Sequence, residues 1–496
     1  MEYASHMRVI IVHHGQLPGG DAPVTGGALR AWNHGQALLG AGHEVHYLHR
    51  EQDGPGGFSS PADLARRVAA LHPDRVICLQ IEDAPALDGI DCPLALDLYA
   101  PRLIEAPHQG RLTEVATQTL CALSAADVFL VSNPRQGYAW LGVLALAGID
   151  IRRDPTLHIP LVAPEGPRRH LPEEPIIIGG GASWPWQDPR SVLEPVLEVL
   201  DRRGTGKIRW VGGSPLIGDD RDQPWTLPDH PRLESVGWMS YADLLRCYAS
   251  ATVALDTAPP SPERTLALRF RHVDYLGCGL PVICPPDSPL AASLGDAGWV
   301  GSDPAALVER ALGDRDELRA RSRAARQLAR SHFGLAQCGA LAEWVETPER
   351  RPRPDGPLLR AASLSARAHQ AEAQSEAMER ALERAEREVD DKRTEVAQLN
   401  ERVRSLIDSQ QHLSHAIDEV AGFKREAVAV LDKRVSLAER SRQELERELA
   451  LQMADNEKKT AELQAMDSLR ERLEHDIENL RKEIHRLRQR GPFRRG

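Results

Sequence analysis

The sequence predicts an α/β body of two Rossmann-like domains, followed by a long α-helical coiled coil. Over about the first 350 residues, short β-rich runs alternate with amphipathic helical stretches. This alternation is typical of parallel sheets with crossover helices. Residues 362–488 contain no proline and almost no glycine, and their apolar residues recur at spacings of three and four. That periodicity favours paired helices. A chain of 496 residues also exceeds one ordinary hydrophobic core.

The first domain is predicted over residues 1–165, with strands at residues 8–13, 42–48, 75–79 and 127–131. A helix at residues 27–39 follows the first strand. The second domain, residues 166–348, opens after a linker rich in Pro, Arg and Glu, and its predicted strands are residues 175–178, 207–211, 252–255 and 280–284. Two consecutive domains of this kind predict a ligand-binding cleft where the carboxyl ends of the two sheets meet.

The third region is divided into a linker at residues 349–361, a coiled coil at residues 362–490 and a basic tail at residues 491–496. Two heptad frames, offset at Gly422, predict a stutter or a hinge there. One continuous helix would span about 180 Å at 1.5 Å per residue. Polar residues at core positions can set register and partner number; they are Arg442, Asn456, Lys459 and Arg470. We expect self-association through this region, with a single solvated helix as the alternative.

Composition excludes several function classes. The net charge of −11 argues against general nucleic-acid binding, which needs a basic face. Seven cysteines show no CxxC pair, so buried thiols in a reducing cytoplasm are expected. No apolar run reaches the roughly 20 residues needed to span a bilayer, and the N-terminus lacks a signal peptide. We therefore expect a cytoplasmic protein. The basic C-terminal tail predicts either contact with anionic lipid at the inner face of the membrane or a solvated helix end.

Two glycine-rich loops are candidate ligand sites. Gly26 and Gly27 precede the first helix, where backbone amides favour an anion, although a plain strand-to-helix turn fits equally well. The second loop follows the first strand of the second domain and carries Gly180, Gly181, Trp184, Trp186 and Asp188. Its amides can contact a phosphate or sugar while the indole faces close the pocket. The alternative is that both tryptophans pack the domain.

Residues 264–281 contain the largest number of candidate ligand-binding side chains. Arg269 and Arg271 stand at the start of a predicted helix, where guanidinium groups and the helix dipole can act on one diphosphate. Asp274, one turn further along, can accept hydrogen bonds from both hydroxyls of a ribose. The alternative is a surface helix with an Arg271–Asp274 ion pair at i,i+3.

This segment resembles the donor-site signature of GT-B glycosyltransferases of the family 4 type, in which an acidic residue precedes a "CGLPVI" turn and strand. Residues 278–283 match that turn, and Asp274 occupies the acidic position. Four stretches are similar to a subgroup of bacterial surface-polysaccharide glycosyltransferases: residues 96–99 with Glu105, residues 132–142, residues 179–189 and residues 269–276. Together the similarity covers about residues 7–344.

The resemblance implies that a sugar is transferred, with retention of anomeric configuration, from a nucleoside diphosphate-sugar to a saccharide or lipid-linked acceptor. No metal or other cofactor is implied. Asp274 would bind the ribose and, with Gly180, Gly181, Trp184, Trp186 and Asp188, form the donor site. Arg269 and Arg271 would neutralise the diphosphate. Asp97 takes the place of a histidine common in the family and is, with Arg269 and Arg271, a candidate catalytic residue. Gly26, Gly27, Ser132 and Arg135 would line the acceptor side of the cleft.

Two departures from the family pattern leave other functions open. The family has two acidic residues eight apart, but Leu266 occupies the earlier position and Glu263 is out of register. The Arg and Lys that usually follow the first strand of the second domain are replaced by residues 184–188. A catalytically degenerate scaffold acting through its coiled coil is therefore the main alternative. A sugar-nucleotide epimerase of the same fold would need a set of acid/base carboxylates that the sequence does not show.

Overall fold

The computed structural model describes residues 6–50, 56–216, 225–354, 356–422 and 428–490. The chain divides into two compact units, Met1–Ser363 and Leu364–Gly496. The first unit contains two parallel β-sheets with their helices, and the second consists of long helices. The basic tail predicted at residues 491–496 lies outside the described residues.

The first sheet has seven parallel strands in the order β3-β2-β1-β4-β5-β6-β7. Its central strands are continuous apolar runs that are fully buried, as expected when helices cover both faces of a parallel sheet. The strands are β1 (Arg8–His13), β2 (Glu44–Arg50), β3 (Gly57–Phe58), β4 (Arg75–Cys78), β5 (Leu94–Asp97), β6 (Val128–Val131) and β7 (Thr156–His158). The helices are α1 (Gly26–Gly40), α2 (Pro61–Leu71), α3 (Arg102–Glu105), α4 (Leu112–Ala125) and α5 (Pro134–Leu146), with 3₁₀ turns at Ala84–Leu87 and Ala106–Gln109.

The second sheet has six parallel strands in the order β10-β9-β8-β11-β12-β13. They are β8 (Ile176–Ala182), β9 (Lys207–Gly213), β10 (Leu233–Gly237), β11 (Val253–Leu255), β12 (Val282–Cys284) and β13 (Gly298–Val300). The helices are α6 (Arg190–Arg203), α7 (Tyr241–Ala249), α8 (Pro262–Leu266), α9 (Phe270–Gly277), α10 (Ala291–Leu294), α11 (Pro304–Gly313), α12 (Arg315–His332) and α13 (Gly339–Glu346), with 3₁₀ turns at Gly295–Ala297 and Leu335–Cys338.

The two parallel sheets confirm the predicted fold class. Every predicted strand corresponds to an observed one, within a few residues at each end. The strands that the sequence analysis missed are β3, β5, β7, β10 and β13, which have two to five residues each. Each missed strand contains a glycine or a polar residue, whereas the equally short predicted strands β11 and β12 are continuous apolar runs.

The end of the second domain packs against the first domain. Leu341, Trp344 and Val345 belong to a hydrophobic cluster that includes Val9 and Ile11 of β1. Helix α13 therefore lies against α1, although the sequence analysis assigned all of residues 166–348 to the second domain. The hydrophobic residues on α13 complete the core of the first domain, so the two domains are joined by packing as well as by the chain.

The second unit is a helical hairpin. Helix α14 (Pro357–Gly422) ends at the glycine where a stutter or hinge was predicted, and α15 (Val428–Arg490) runs back beside it. Contacts between the two helices pair early residues of α14 with late residues of α15. They include Glu379 with Arg481 at 2.8 Å, Asn400 with Asn456 at 2.7 Å and Gln410 with Glu446 at 3.1 Å. The chain thus folds back on itself instead of extending as one 180 Å rod.

Two sequence expectations concern the environment of the chain. None of the described helices is long and apolar enough to cross a membrane. All seven cysteines are free thiols; six are buried and Cys247 is half-buried. The expectation of buried, unpaired cysteines is confirmed.

Candidate functional site

The carboxyl ends of β8 and β9 are built from glycine. Gly180, Gly181 and Gly212 have φ values of +143°, +131° and +129°, a region that side-chain-bearing residues rarely adopt. A Cβ on Gly180 would lie 1.9 Å from the Val211 carbonyl oxygen, and one on Gly181 would lie 2.0 Å from Nη1 of Arg271. Glycine at position 181 therefore allows the Arg271 guanidinium to lie directly against the end of the sheet.

Arg271 is a cation without a hydrogen-bond or ion-pair partner among the described residues. It lies in the first turn of α9, whose N-terminus carries partial positive charge. In the part of the chain that the structure describes, no hydrogen bond or ion pair reaches its guanidinium, so the Arg271–Asp274 pair considered from the sequence does not form. A half-buried guanidinium beside the glycine-built strand end is suited to bidentate binding of a phosphate.

Arg269 has the opposite environment. It is buried, with Nη2 3.1 Å from Oε2 of Glu263 and Nη1 3.5 Å from Oδ1 of Asp256. Burial alone would raise the pKa of Asp256, but the charges of Arg269 and His272 hold it well below its usual value. Two carboxylates thus already neutralise Arg269. This geometry favours a positioning role at the start of α9 over the predicted contact with a diphosphate.

Asp274 lies one turn beyond Arg271, as predicted, but its carboxyl group is buried. The Tyr241 hydroxyl donates a hydrogen bond of 2.8 Å to Oδ1 of Asp274. Burial raises the pKa of Asp274 to about 7, against the smaller opposing effect of that hydrogen bond. The acidic position of the family signature is therefore held inside the second domain by Tyr241.

The tryptophans of the glycine-rich loop form an aromatic stack that reaches the first domain. The rings of Trp184 and Trp186 are 5.3 Å apart and nearly parallel, and Trp186 stacks on His108 at 5.1 Å. Trp186 is 9% exposed and Trp184 is half-buried, so Trp184 is the more accessible of the two indole rings. Asp188 is less well placed for a ligand, because its carboxylate pairs with Arg190 at 2.5 Å at the start of α6.

Gly26 and Gly27 lie where the two domains touch. A Cβ on Gly26 would lie 2.7 Å from the Phe270 ring, and one on Gly27 would lie 2.6 Å from the Tyr99 hydroxyl. The rings of Tyr99 and Phe270 also meet edge to face at 5.9 Å. The amino end of α1 is thus packed directly against α9 of the second domain.

Ser132 and Arg135, at the amino end of α5, both make hydrogen bonds within the protein. Nη1 of Arg135 donates to the Asp287 carbonyl at 2.6 Å and to the Thr265 carbonyl at 3.3 Å, both in the second domain. The Ser132 hydroxyl donates to the Gln136 side chain at 2.7 Å. The structure brings both residues to the domain boundary, where Arg135 ties the domains and Ser132 is buried.

Asp97 ends β5 and is buried within the first domain. Its Oδ2 accepts hydrogen bonds from Nε of Arg30 at 2.8 Å and from Nε2 of His34 at 2.6 Å, both on α1. Burial would raise the pKa of Asp97, but Arg30 and His34 lower it below its usual value. These bonds favour an anchoring role for Asp97 over the predicted catalytic one.

Sequence reasoning missed a pair of acidic residues between the domains. Glu105 ends α3, Glu263 lies in α8, and these two helices pack together. Burial raises the pKa of Glu105 to about 7, and the nearby charge of Glu263 adds to the effect. Gln187 donates to Oε2 of Glu263 at 3.2 Å. The signal was present but incomplete: Glu105 belongs to a stretch that resembles the subgroup, whereas Glu263 is out of register with the family pattern.

Comparisons with known proteins identify the fold of the body and a sequence similarity in its second domain. Residues 190–340 match a family model described as glycosyl transferase-like. A trehalose-6-phosphate synthase (OtsA) structure is 12% identical with a TM-score of 0.52, and the match covers 69% of this chain and 100% of that one. The body has the GT-B fold.

Two further synthases have the same GT-B architecture. The α,α-trehalose 6-phosphate synthase of Burkholderia multivorans is 13% identical with a TM-score of 0.50, covering 74% of this chain and 98% of its own. The Burkholderia xenovorans enzyme, solved with glucose-6-phosphate, is 10% identical with a TM-score of 0.50, covering 68% and 100%. No curated protein sequence matches this chain. At these identities the solved structures establish the fold, and the family match makes the second domain glycosyl transferase-like.

Proposed function

We propose that this protein is a retaining, family 4-like glycosyltransferase that moves a sugar from a nucleoside diphosphate-sugar to a saccharide or lipid-linked acceptor. The observation that carries the proposal is the Arg271 guanidinium, which has no ion-pair partner among the described residues and lies against Gly181 at the carboxyl edge of the second sheet. In open α/β sheets, ligands bind at this edge. A glycosyl transferase-like family match over the same domain supports the assignment.

Sugar transfer from this donor requires the protein to stabilise the nucleoside diphosphate as it leaves. As the bond between the sugar and the diphosphate breaks, negative charge grows on the phosphate oxygens, and Arg271 with the amino end of α9 would offset it. Asp274 would accept hydrogen bonds from the ribose hydroxyls once the hydrogen bond that Tyr241 donates to it is broken. We assign Arg269 the role of positioning the start of α9, because its guanidinium is already paired with Asp256 and Glu263. No metal is needed for this charge stabilisation.

Uridine is the first base to test. The Burkholderia xenovorans trehalose-phosphate synthase, which has this fold, is UDP-forming. An accessible Trp184 face beside the glycine-lined strand end can cover one side of a donor molecule. Donor identity in this chain is therefore proposed as a UDP-sugar ahead of GDP- and dTDP-sugars.

We further propose a role in surface-polysaccharide or glycoconjugate assembly, in the cytoplasm or at the inner face of the membrane. The sequence resemblance to surface-polysaccharide enzymes supports this role. The helical hairpin would hold copies of the chain together or dock it to an assembly complex, since its outer surface carries exposed leucines.

A thermal-shift panel of UDP-, GDP- and dTDP-sugars, with and without Arg271→Ala, tests the proposal. We expect one donor to stabilise the wild type and the variant to bind it at least tenfold more weakly, since a charged phosphate contact contributes about 1.5–3 kcal/mol. Arg246→Ala is the matched control, because Arg246 is exposed and pairs along α7 with Asp243. Equal donor binding by the wild type and Arg271→Ala would contradict the assignment.

The second candidate is a scaffold with a degenerate transferase body. The observation in its favour is that Arg269 and Asp274 are both engaged by protein side chains. A scaffold predicts no stabilisation by any sugar nucleotide. Release of nucleoside diphosphate in the presence of an acceptor would exclude it.

A further inference from the structure

Helix α12 of the second domain carries most of its arginines along one side. At about 100° per residue, five of them project within an arc of about 80°. They are Arg315, Arg319, Arg323, Arg326 and Arg330, and we call them the arginine stripe. The buried residues of the helix lie outside this arc; they are Leu318, Ala325, Leu328 and Ala329. The stripe therefore runs along the side of α12 that does not pack into the domain.

Three arginines of the stripe have no hydrogen-bond or ion-pair partner among the described residues, and all three are exposed. They are Arg315, Arg323 and Arg330. The other two are engaged by the protein. Arg319 pairs with Asp316 at 3.1 Å, and Nη2 of Arg326 donates to the Pro167 carbonyl at 2.7 Å. The stripe thus presents three positive charges to solvent over about 22 Å of helix.

This arrangement is unfavourable for the helix itself. Arginines of the stripe stand four residues apart at three places, and like charges at i,i+4 destabilise a helix. Residues 318–342 contain no Asp or Glu that could compensate them. On α15, by contrast, Arg442 pairs with Glu446 four residues away at 2.8 Å. An uncompensated basic face on a chain of net charge −11 indicates an anionic partner.

The surroundings of the stripe favour a flat partner over a nucleic acid. Sites for single-stranded nucleic acid combine basic groups with aromatic rings, and α12 contains no Phe, Tyr or Trp. A helix that reads duplex DNA enters a groove, whereas α12 is packed against α9, α11 and β13 of its own domain. Cations arranged in a line on the outside of a packed helix can all reach one plane.

We propose that the arginine stripe binds the surface of a bilayer rich in anionic lipids and so holds the second domain at the membrane. Guanidinium groups form bidentate hydrogen bonds with phosphate groups, and each basic residue near an anionic bilayer strengthens binding about fivefold. That a lipid-linked acceptor would reach the enzyme at this surface rests on the proposed transferase function; the lipid binding itself does not.

Co-sedimentation of the full chain with lipid vesicles tests the proposal. We expect binding to phosphatidylcholine vesicles that contain about one third phosphatidylserine, and no binding to phosphatidylcholine alone. Alanine at Arg315, Arg323 and Arg330 together should weaken binding about a hundredfold, at about fivefold for each residue. Added salt should also weaken it, because ions screen exposed charges. Absence of wild-type binding to the anionic vesicles would overturn the proposal.

A second triple variant with the same change in net charge is the matched control. It places alanine at exposed arginines on α2, α6 and α7, namely Arg66, Arg202 and Arg246. This variant should bind vesicles as the wild type does. Both triple variants change exposed positions, so both should unfold at the temperature of the wild type. Equal loss of vesicle binding in the two variants would show that only net charge matters, and would overturn the proposal.

Two further measurements locate the contact and identify the partner. Arg494→Ala with Arg495→Ala removes charge from the basic tail, and this variant should bind vesicles as the wild type does. Loss of binding in the tail variant, with unchanged binding in the stripe variant, would overturn the assignment to α12. Binding to a single-stranded RNA oligomer in place of anionic vesicles would overturn the choice of a membrane.

The thermal-shift panel of sugar nucleotides separates this proposal from the proposed function. Donor binding without vesicle binding would overturn the role of the stripe and leave the transferase proposal standing. Vesicle binding that depends on the stripe, without binding of any donor, would overturn the transferase proposal and leave a membrane contact on the second domain.

Discussion

Arg269 and Arg271 are separated by one residue, and their guanidinium groups lie in different surroundings. Arg269 is buried between Asp256 and Glu263, and removing it would leave two buried carboxylates without their cation. Arg271 contacts the backbone edge at Gly181 and has no ion pair among the described residues. Of these two arginines in one short segment, Arg269 thus holds the site together and Arg271 is available to a ligand.

Glu105 gives a pH-dependent prediction at the residue scale. Its pKa is raised from 4.5 to about 7 by burial and by Glu263, with Arg102 and Arg269 opposing the change. The folded protein therefore holds this proton more tightly, and the resulting stability is full below pH 4.5 and lost as the pH rises through 7. Replacing the carboxyl group in Glu105→Gln should remove that loss.

Urea unfolding at pH 5 and pH 8 measures the effect. The wild type should lose on the order of 2 kcal/mol more than Glu105→Gln between these two pH values. Glu165→Gln, at an exposed position in the segment between the two sheets, should follow the wild type. Parallel curves for the wild type and Glu105→Gln would show that the carboxyl group is not protonated in the folded state.

At the scale of the element, the end of β8 depends on glycine for its path beside β9. Gly180 pairs in register with Val211 and Gly181 with Gly212. Because each of these glycines has a positive φ and an adjacent strand within contact distance, the two strands approach more closely than side chains would allow. Arg271 lies against this edge of the sheet, beside Gly181.

Gly180→Ala should destabilise the protein by about 3 kcal/mol or more, since the added Cβ meets the Val211 carbonyl in a backbone conformation that alanine rarely adopts. Gly142→Ala is the matched control. Gly142 lies within α5 and a Cβ there would meet no atom within 4 Å, so alanine should stabilise the helix by about 0.5–1 kcal/mol. Chemical denaturation measures both variants, and a neutral Gly180→Ala would contradict the strand-end geometry.

At the scale of the whole molecule, the chain divides into two compact units that are held together by different contacts. In the first unit, α13 packs on the first domain and Arg135 reaches the carbonyls of Thr265 and Asp287, so both domains are tied by side chains. In the second unit, α14 and α15 pair with each other and bury Val389 and Ile477. Much of the hairpin surface is left to solvent.

Self-association is predicted to use the outer face of α15. Leu437 and Leu451 are each 66% exposed and lie 14 residues apart, about four helical turns, so they share one side of the helix. Light scattering of the full chain should give a mass of more than one chain, and the double variant Leu437→Glu, Leu451→Glu should reduce it to one. Burying a carboxylate in an apolar contact is strongly unfavourable.

Ser436→Glu with Ala454→Glu is the control for this experiment, because these exposed neighbours gain the same charge without losing a large apolar side chain. It should keep the mass of the wild type. A wild-type mass of a single chain would contradict self-association, and the hairpin would then stand as an intramolecular pair or a docking element for another protein.

The amino-acid sequence by itself determined the α/β class, the order of the two domains, the long helical region and the break at Gly422. These features follow from local periodicity and from glycine and proline placement, which act between residues close in the chain. The same local pattern placed Arg271, Gly181 and Trp184 in one candidate site, and the structure brings Arg271 and Gly181 into contact.

The tertiary structure alone decided which charged groups are already neutralised. Asp97 meets Arg30 across 67 residues, Asp274 meets Tyr241 across 33, and Glu105 meets a helix of the other domain. It also decided that the two heptad frames pair with each other as an antiparallel hairpin. Such pairings depend on how sheets and helices pack in space. The spacing of residues along the chain does not determine the distances between residues that are far apart in sequence.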